Sequence, residues 1–471
     1  MGKESIVSRN HTRLLAQLRE DYANFSPKSG AIQKIAVQYL VDGGSHQLRL
    51  MHPFPPRIVA ARGAYLTDED GHHILDFWQG HLGNLLGHNP KFITDVLARS
   101  FADGFGLHTG FTDRLQAETA ALLCRQTGSE RVRFTTSGSL ATMYAIMLSR
   151  SFTGRAQVLK IAGGWHGGQP WGLKGVNYHE GDGQGFLSVE SEGLSSSLSG
   201  EVAITGFNDT EGLREYFRQY GDRLSCFIVE PFLGAGGIMT ATREFLETAR
   251  ELTQKHGALL IFDEVICGFR FRAGNLGALY RITPDLSVFG KIVGGGMPVA
   301  AVTGRADVLG LAGSSGGGRV KFSGGTFSAH PASMLAAKTA IEHLVEHEAE
   351  IYPRLAVLGE RMRPVMEAAF CDEGIYARCS GYGNDVVRGS SLAYLHFPYS
   401  ADTVPDRPER MFDPSLCDVE LTKHVLQLAL LLENVYLVHG HGALSTAHTD
   451  EDLTFLDQAC RRVAHRIKAS L

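Results

Sequence analysis

The chain has 471 residues, 44% of them hydrophobic and 20% charged, which is enough for a globular enzyme with more than one core. Its formal net charge of −5 argues against a nucleic-acid partner. The first residues are too charged for a secretion signal, and no apolar run approaches the ~20 residues that a membrane span needs. The seven cysteines are scattered and form no CxxC pair, which argues against a structural metal. Together these features favour a cytoplasmic protein without a membrane partner.

The predicted elements begin with a helical arm over residues 1–50. Alternating apolar positions over 58–77 predict two short strands joined by a hairpin turn at 68–71. From about 115 to 335, short apolar runs alternate with helical stretches, which predicts a doubly wound, mostly parallel sheet. The strand candidates are VLKIAG, AITGF, CFIVEP, LLIFDE and VAAVTG, and the helix candidates are residues 116–126, 140–149, 242–256 and 332–347.

Three segments are expected from this pattern. Residues 1–85 form the arm and part of a small domain, residues 86–335 a large cofactor-binding domain, and residues 336–471 a C-terminal small α/β domain. Gly- and Ser-rich loops are expected at 181–200 and 310–318, and a surface loop at 400–418.

Two residues carry most of the chemical information. Asp263 stands near the end of the run LLIFDE, and Lys291 follows 28 residues later beside Gly290. A lysine amine can condense with an aldehyde cofactor, and a buried carboxylate can keep a ring nitrogen protonated. Pyridoxal 5′-phosphate needs both groups. Either residue alone is more often a turn residue or a solvated charge, so the interpretation depends on the rest of the chain.

Several other residues stand where strand ends meet in such a sheet. Ser137, Gly138 and Ser139 precede a predicted helix, and a helix N-terminus with small residues favours a phosphate. Trp165 follows a predicted strand and offers a ring that can stack on a flat cofactor. Glu230 ends the run CFIVEP.

In this order the motifs resemble the class III aminotransferases of the fold-type I pyridoxal-phosphate enzymes, over about residues 55–465. The likeness is greatest to the subgroup that contains glutamate-1-semialdehyde aminomutase. It is carried by GAYLTDEDG, WHG, LLIFDEV, GTFSAHP and AHTDEDL. The resemblance implies a mostly parallel seven-stranded sheet flanked by helices, with a smaller α/β domain built from the N- and C-terminal segments.

The resemblance also implies roles for individual residues. Lys291 and Asp263 would be catalytic, Lys291 as the Schiff-base lysine and Asp263 as the partner of the ring nitrogen. Thr326 would reach the phosphate of a partner subunit, as in the homodimers of this family. The other implied cofactor contacts are Ser137, Gly138 and Ser139 at the phosphate, Trp165 with His166 beside it on one ring face, Val265 on the other face, and Glu230 as a residue that orders the site.

The chain departs from the family pattern at the substrate side. Leu140 replaces a common Glu, Ala235 replaces a second Glu found in enzymes of ω-amino acids, and the C-terminal stretch VHGHG holds no Arg. Arg49 follows Gly43-Gly44 and is the candidate for binding a substrate carboxylate, and His439 and His441 are further substrate candidates.

The function expected from these features is transfer of an amino group between an amino acid, or an amino compound that bears a carboxylate, and a keto acid or aldehyde. An intramolecular aminomutase and a catalytically altered cofactor-binding interaction protein remain alternatives.

Overall fold

The structure is a computed structural model that describes residues 9–179, 185–404 and 406–471, with the side chain of residue 315 also left aside. Residues 1–8 of the predicted arm, residues 181–184 of one predicted loop and position 405 of another therefore lie outside the described residues. Within the described residues, no helix is both long enough and apolar enough to cross a membrane.

The strands and helices follow one another along the whole described chain. The strands are β1 (Ile58–Arg62), β2 (Tyr65–Asp68), β3 (His73–Asp76), β4 (Arg131–Thr135), β5 (Gln157–Ile161), β6 (Val202–Thr205), β7 (Leu224–Val229), β8 (Phe232–Leu233), β9 (Met239–Thr240), β10 (Leu259–Glu264), β11 (Leu286–Phe289), β12 (Ala300–Gly304), β13 (Arg378–Ser380), β14 (Leu392–His396), β15 (Val435–Tyr436) and β16 (His441–Ala443). The helices are α1 (Thr12–Phe25), α2 (Pro27–Ala36), α3 (Gln79–Leu82), α4 (Lys91–Ala102), α5 (Arg114–Thr127), α6 (Gly138–Thr153), α7 (Ser196–Glu201), α8 (Thr210–Tyr220), α9 (Arg243–His256), α10 (Gly277–Tyr280), α11 (Ala306–Leu309), α12 (Pro331–Glu346), α13 (Glu348–Cys371), α14 (Pro408–Met411), α15 (Leu426–Leu432) and α16 (Asp450–Lys468).

A seven-stranded sheet forms the centre of the molecule, in the order β4-β12-β11-β10-β7-β5-β6. Only β12 runs against its neighbours, β11 and β4, while the other pairs are parallel. The predicted fold class, a mostly parallel seven-stranded α/β sheet, is confirmed. The five strand candidates lie in β5, β6, β7, β10 and β12, and the four helix candidates lie in α5, α6, α9 and α12.

The central strands β7, β10 and β11 are buried on both faces, which is why they consist mostly of apolar residues. In β7, Cys226 and Ile228 pack with α6 on one face, whereas Phe227 and Val229 pack with α8 and α9 on the other. Successive side chains of a strand point to opposite faces, so one run of hydrophobic residues supplies two cores. The loops at the carboxyl ends of the strands are thereby held between two rigid helical layers.

Smaller sheets are built from the two ends of the chain. The strand β15 pairs with β3 of the predicted hairpin, and β13, β14 and β16 form a three-stranded sheet. They share a core with α1, α13, α15 and α16. The predicted segment boundaries at 85 and 335 stay a prediction. The predicted surface loop at 400–418 is wrong in part, because α14 lies within it and Met411 and Cys417 are buried.

Candidate active site

The residues predicted from the strand ends meet at one edge of the central sheet. Asp263 lies near the end of β10, and Lys291 begins a short 3-10 turn just after the neighbouring strand β11. Trp165 follows β5, and Glu230 follows β7. Because β5, β7, β10 and β11 are parallel, their carboxyl ends open on the same side.

Asp263 is a buried carboxylate with two ordered partners. Its Oδ2 lies 2.7 Å from Nδ1 of His166, and its Oδ1 accepts the backbone N–H of Val265 at 3.1 Å. Burial lowers the pKa of His166, although Asp263 opposes the effect. A neutral His166 therefore donates its Nδ1 proton to Asp263. Its Nε2 is buried and has no hydrogen-bond partner among the described residues.

Glu230 is buried beside this pair and fixes two loops. Its Oε1 accepts the backbone N–H of Trp165 at 3.1 Å, and its Oε2 accepts that of Gly234 at 2.9 Å. Burial, followed by the nearby Asp263 carboxylate, raises the pKa of Glu230 to about 8. Glu230 thus holds Trp165 in place through the backbone.

The three small residues expected at a phosphate stand at the start of α6. Ser137 caps the helix by accepting the N–H of Leu140 at 3.3 Å, and Gly138 and Ser139 form its first turn. The first N–H groups of a helix have no partner within it and favour an anion. Ser139 Oγ also accepts the N–H of Gly168 at 3.2 Å. The Trp165 loop and the helix N-terminus therefore surround one cradle.

Lys291 stands in a crowded and strained position. Its φ of 49° lies in the left-handed region that ordinary residues rarely adopt. A Cβ built on Gly83 would lie 3.5 Å from the Lys291 Cβ, so the chain after α3 passes directly against the lysine. Burial lowers the pKa of Lys291, while Asp263 and Glu230 oppose this effect. A larger share of neutral amine suits a nucleophile and a base.

Arg49 lies in the same region as this lysine, to which it is linked through His81. Its Nε lies 3.1 Å from Nε2 of His81, the third residue of α3. Arg49 and Lys291 both contribute to lowering the pKa values of His81 and His46, so the two imidazoles lie near both positive charges. The structure therefore brings together Lys291 and the predicted substrate residue Arg49.

His439 and His441 make their contacts within the C-terminal part of the chain. His439 Nδ1 is 2.9 Å from the carbonyl oxygen of Lys423, and His441 Nδ1 is 3.1 Å from that of His439. The His441 ring packs on Tyr394 with centroids 4.7 Å apart. Both are held by local bonds, so their proposed substrate role stays a prediction. No group of three or more possible metal ligands occurs in the described parts of the chain.

The remaining predicted positions lie at the edges of the site. Val265 touches the first turn of α6, because a Cβ built on Gly138 would lie 3.1 Å from both of its methyl groups. Leu140 is half-buried and packs on the core under α6, which accounts for an apolar residue there. Thr326 is exposed, and its carbonyl oxygen accepts the hydroxyl of Thr109 at 3.0 Å.

Two buried cations near the site escape sequence-based prediction. Lys160 is fully buried in β5, and its Nζ donates to the carbonyl oxygens of Gly164, Gly172 and Lys174 at 2.7–2.9 Å. Arg270 donates to carbonyl oxygens of Leu82 and Ile266 and to Ser391 Oγ. The only available signal for Lys160 is a charge inside the apolar run VLKIAG.

These residues fit pyridoxal phosphate on the evidence of the structure itself. The buried His166 Nε2 has no partner within the described chain, and it belongs to the ring that holds Asp263. The cradle at the start of α6 suits a phosphate dianion, and half-buried Trp165 suits a flat ring. A carboxylate, a lysine with a lowered pKa and an anion cradle at one sheet edge define a pyridoxal-phosphate-dependent transferase.

Comparisons with known proteins agree with this class. The Aminotransferase class-III family pattern matches residues 49–363. The glutamate-1-semialdehyde 2,1-aminomutase of Methanoculleus marisnigri is 33% identical over 437 residues, which cover 92% of this chain and 98% of the relative. An ω-transaminase from Sphaerobacter thermophilus is 29% identical with a TM-score of 0.82, covering 93% of this chain and 97% of its own. A β-phenylalanine aminotransferase from Variovorax paradoxus is 27% identical with the same TM-score, covering 96% and 97%.

The protein belongs to the class III aminotransferase family. It is an enzyme, and its cofactor is pyridoxal phosphate. The predicted family and cofactor are confirmed.

Proposed function

We propose that the enzyme transfers an amino group from an amine that carries a carboxylate to a keto acid or aldehyde. The observation that supports this proposal most is the position of Arg49, whose guanidinium lies in the same charged region as Lys291. A guanidinium in the region of the reacting lysine favours a substrate anion.

Individual residues of the chain have separate roles in holding the cofactor and in moving the proton. Bound pyridoxal phosphate supplies an electron sink for the charge that develops at the substrate carbon. We assign the phosphate to the first turn of α6, one ring face to Trp165 and the other to Val265, and the ring nitrogen to Asp263. Lys291, with its lowered pKa, takes a proton from the substrate carbon as a neutral amine and returns it.

The test begins with the visible absorbance of the purified holoenzyme. A band near ~420 nm is expected, which should fall on addition of an amino donor and return with a keto acid. A screen of L-, D- and β-amino acids would identify the donor. A band that no amine changes would contradict amino transfer and support the interaction protein.

Lys291→Ala should remove the amine that takes and returns the proton. We expect turnover to fall by at least about 10³-fold and the donor-dependent change in absorbance to disappear. Lys160→Met serves as the control for loss of a buried lysine elsewhere in the site region, and it should keep the absorbance response. Surviving turnover in Lys291→Ala would show that another residue carries the reaction.

An aminomutase is the second candidate, because aminomutases such as that of Methanoculleus marisnigri are among the curated relatives. The two reactions differ in their need for an acceptor. Glutamate-1-semialdehyde offered alone would be isomerised by a mutase, with the amino group moved from carbon 2 to carbon 1. A transaminase would instead stop after one exchange until a keto acid is added.

We further propose a homodimer in the cytoplasm, in which Thr326 reaches the phosphate of the partner subunit. The support is an apolar surface around Thr326. Leu107 and Phe111 are 81% and 76% exposed and flank Thr109, which binds the Thr326 carbonyl oxygen, and Phe327 is 58% exposed. Exposed apolar side chains in one place favour burial by another protein surface.

A further inference from the structure

We propose that His81 is a positioning residue that fixes the Arg49 guanidinium so that its two terminal nitrogens face a substrate carboxylate. This inference rests on the proposed function, since it names the side chain that would set the carboxylate preference of the same site. Four observations carry it: the hydrogen bond to Arg49, the packing of the imidazole, the backbone of α3 and the anchors of that turn.

The hydrogen bond between His81 and Arg49 leaves the two terminal nitrogens of the guanidinium free to bind a substrate carboxylate. Only Nε of Arg49 is engaged, by Nε2 of His81 at 3.1 Å. Within the described residues, no hydrogen bond or ion pair of its terminal nitrogens is found, and no carboxylate pairs with it. A guanidinium binds a carboxylate through two parallel N–H groups. The N–H groups of the two terminal nitrogens of Arg49 remain available for such a pair of hydrogen bonds.

The imidazole is held by aromatic packing on two sides. Its centroid lies 4.6 Å from that of His46 and 4.8 Å from that of Trp78. To accept from Arg49 at Nε2, the neutral ring must carry its proton on Nδ1. Burial, together with the neighbouring His46, Arg49 and Lys291, lowers the pKa of His81 to about 3. The ring therefore stays neutral and remains an acceptor at physiological pH.

The backbone that presents His81 is strained. Gln79, Gly80, His81 and Leu82 all have positive φ values, between 45° and 64°. The left-handed conformation is unfavourable for every residue other than glycine, because the side-chain Cβ crowds the following carbonyl oxygen. Such strain persists only where the surroundings impose it, and it is concentrated at functional sites.

Buried groups impose this conformation from both ends of the turn. Asp76 accepts the backbone N–H groups of Trp78 and Gln79 at 2.8 and 3.0 Å. At the other end, the buried Arg270 donates to the carbonyl oxygen of Leu82. The turn thus has two fixed ends, and His81 projects from its third position.

The test measures binding without turnover. The probes are linear and aromatic monocarboxylates that lack an amine, each compared with its primary amide, titrated into the holoenzyme and followed by calorimetry. We expect the wild-type protein to bind carboxylates better than amides. His81→Phe, which keeps an aromatic ring but offers no acceptor, should weaken carboxylate binding about tenfold and leave amide binding unchanged.

Two further variants separate positioning from a structural role. His81→Gln places an amide oxygen near the position of Nε2 and should restore most of the carboxylate preference. If His81 acts through Arg49, then His81→Phe should cause no further loss in the Arg49→Ala background. His81→Phe should also raise KM for a carboxylate-bearing donor while kcat stays within about twofold, and His81→Gln should return KM towards the wild-type value.

Three results would overturn the inference. These are no carboxylate preference in the wild-type protein, equal losses for carboxylates and amides in His81→Phe, or additive losses in the double variant. Amino transfer itself is tested separately, by the response of the cofactor absorbance to amines, so its failure is distinguishable from the failure of this inference.

Discussion

Lys160 is an ionisable lysine buried inside the central sheet, and the effect of its burial on stability should depend on pH. Burial lowers its pKa to about 7, against an ordinary value of 10.5, although Glu230, Asp263 and Glu190 oppose the effect. Below about pH 7 the lysine is charged in the folded and the unfolded state, so its burial cost is present in full. Between pH 7 and 10.5 the folded protein has released the proton and the cost diminishes.

Lys160→Met, which keeps the length of the side chain, isolates this effect. The free energy of unfolding of the wild-type apoprotein, relative to the variant, should rise on the order of a few kcal/mol as pH increases from about 7 to 10. Denaturant midpoints across that range measure the difference, and taking the difference cancels groups that both proteins share. A difference that is constant with pH would mean that Lys160 titrates normally in the folded protein.

Some residues of the site can be predicted from the sequence, and others cannot. Asp263 and Lys291 are predictable because each stands beside a strand end or a glycine, where a functional side chain leaves the regular structure. His81 is not predictable in this way. Its neighbours QGHLGN do not predict four left-handed residues in a row, a conformation held by the local contact of Asp76 and the tertiary contact of Arg270.

The loop that follows β5 packs against the first turn of α6 at Gly167. Gly167 has a φ of 84°, and a Cβ built on it would lie 2.5 Å from the Cα of Ser139 and 2.7 Å from its Cβ. Gly167→Ala should therefore separate the loop from the cradle. We expect an affinity for pyridoxal phosphate at least about tenfold weaker and a loss of about 2–4 kcal/mol in stability.

Gly168→Ala is the matched control, one residue further on. A Cβ at that position would meet no atom within 4 Å, and an alanine keeps the N–H that donates to Ser139 Oγ. Equilibrium titration of the apoproteins with pyridoxal phosphate gives both affinities. Equal affinities for the two variants would contradict the close approach at Gly167.

Sequence patterns predict the long elements of the sheet well and its short ones poorly. The runs in β7 and β10 are buried on both faces, so their hydrophobicity alone identifies them. The edge strand β4 has a partly exposed pattern, RVRFT, and β11 has only four residues. Both strands pair with β12, and such long-range pairing cannot be predicted from the local sequence pattern.

At the scale of the whole molecule, the surface near Thr326 suggests that one chain is not a complete site. The exposed side chains of Leu107, Phe111 and Phe327 surround the loop that carries Thr326. Thr326 is itself exposed, which is unexpected for a cofactor ligand unless a second copy covers it. A two-fold dimer would place each of these surfaces against the other copy.

Complementation between two defective subunits tests the shared site. Thr326→Asp places a negative charge where the phosphate of the partner would lie, so the homodimer should bind pyridoxal phosphate at least about tenfold more weakly. A heterodimer of this variant with Lys291→Ala has one site made of an intact lysine and an intact threonine from the other chain. Coexpressed subunits with different tags should therefore recover close to half of the wild-type activity. If Thr326 served its own subunit, both sites of the heterodimer would be defective, and activity would stay at the level of the two parents.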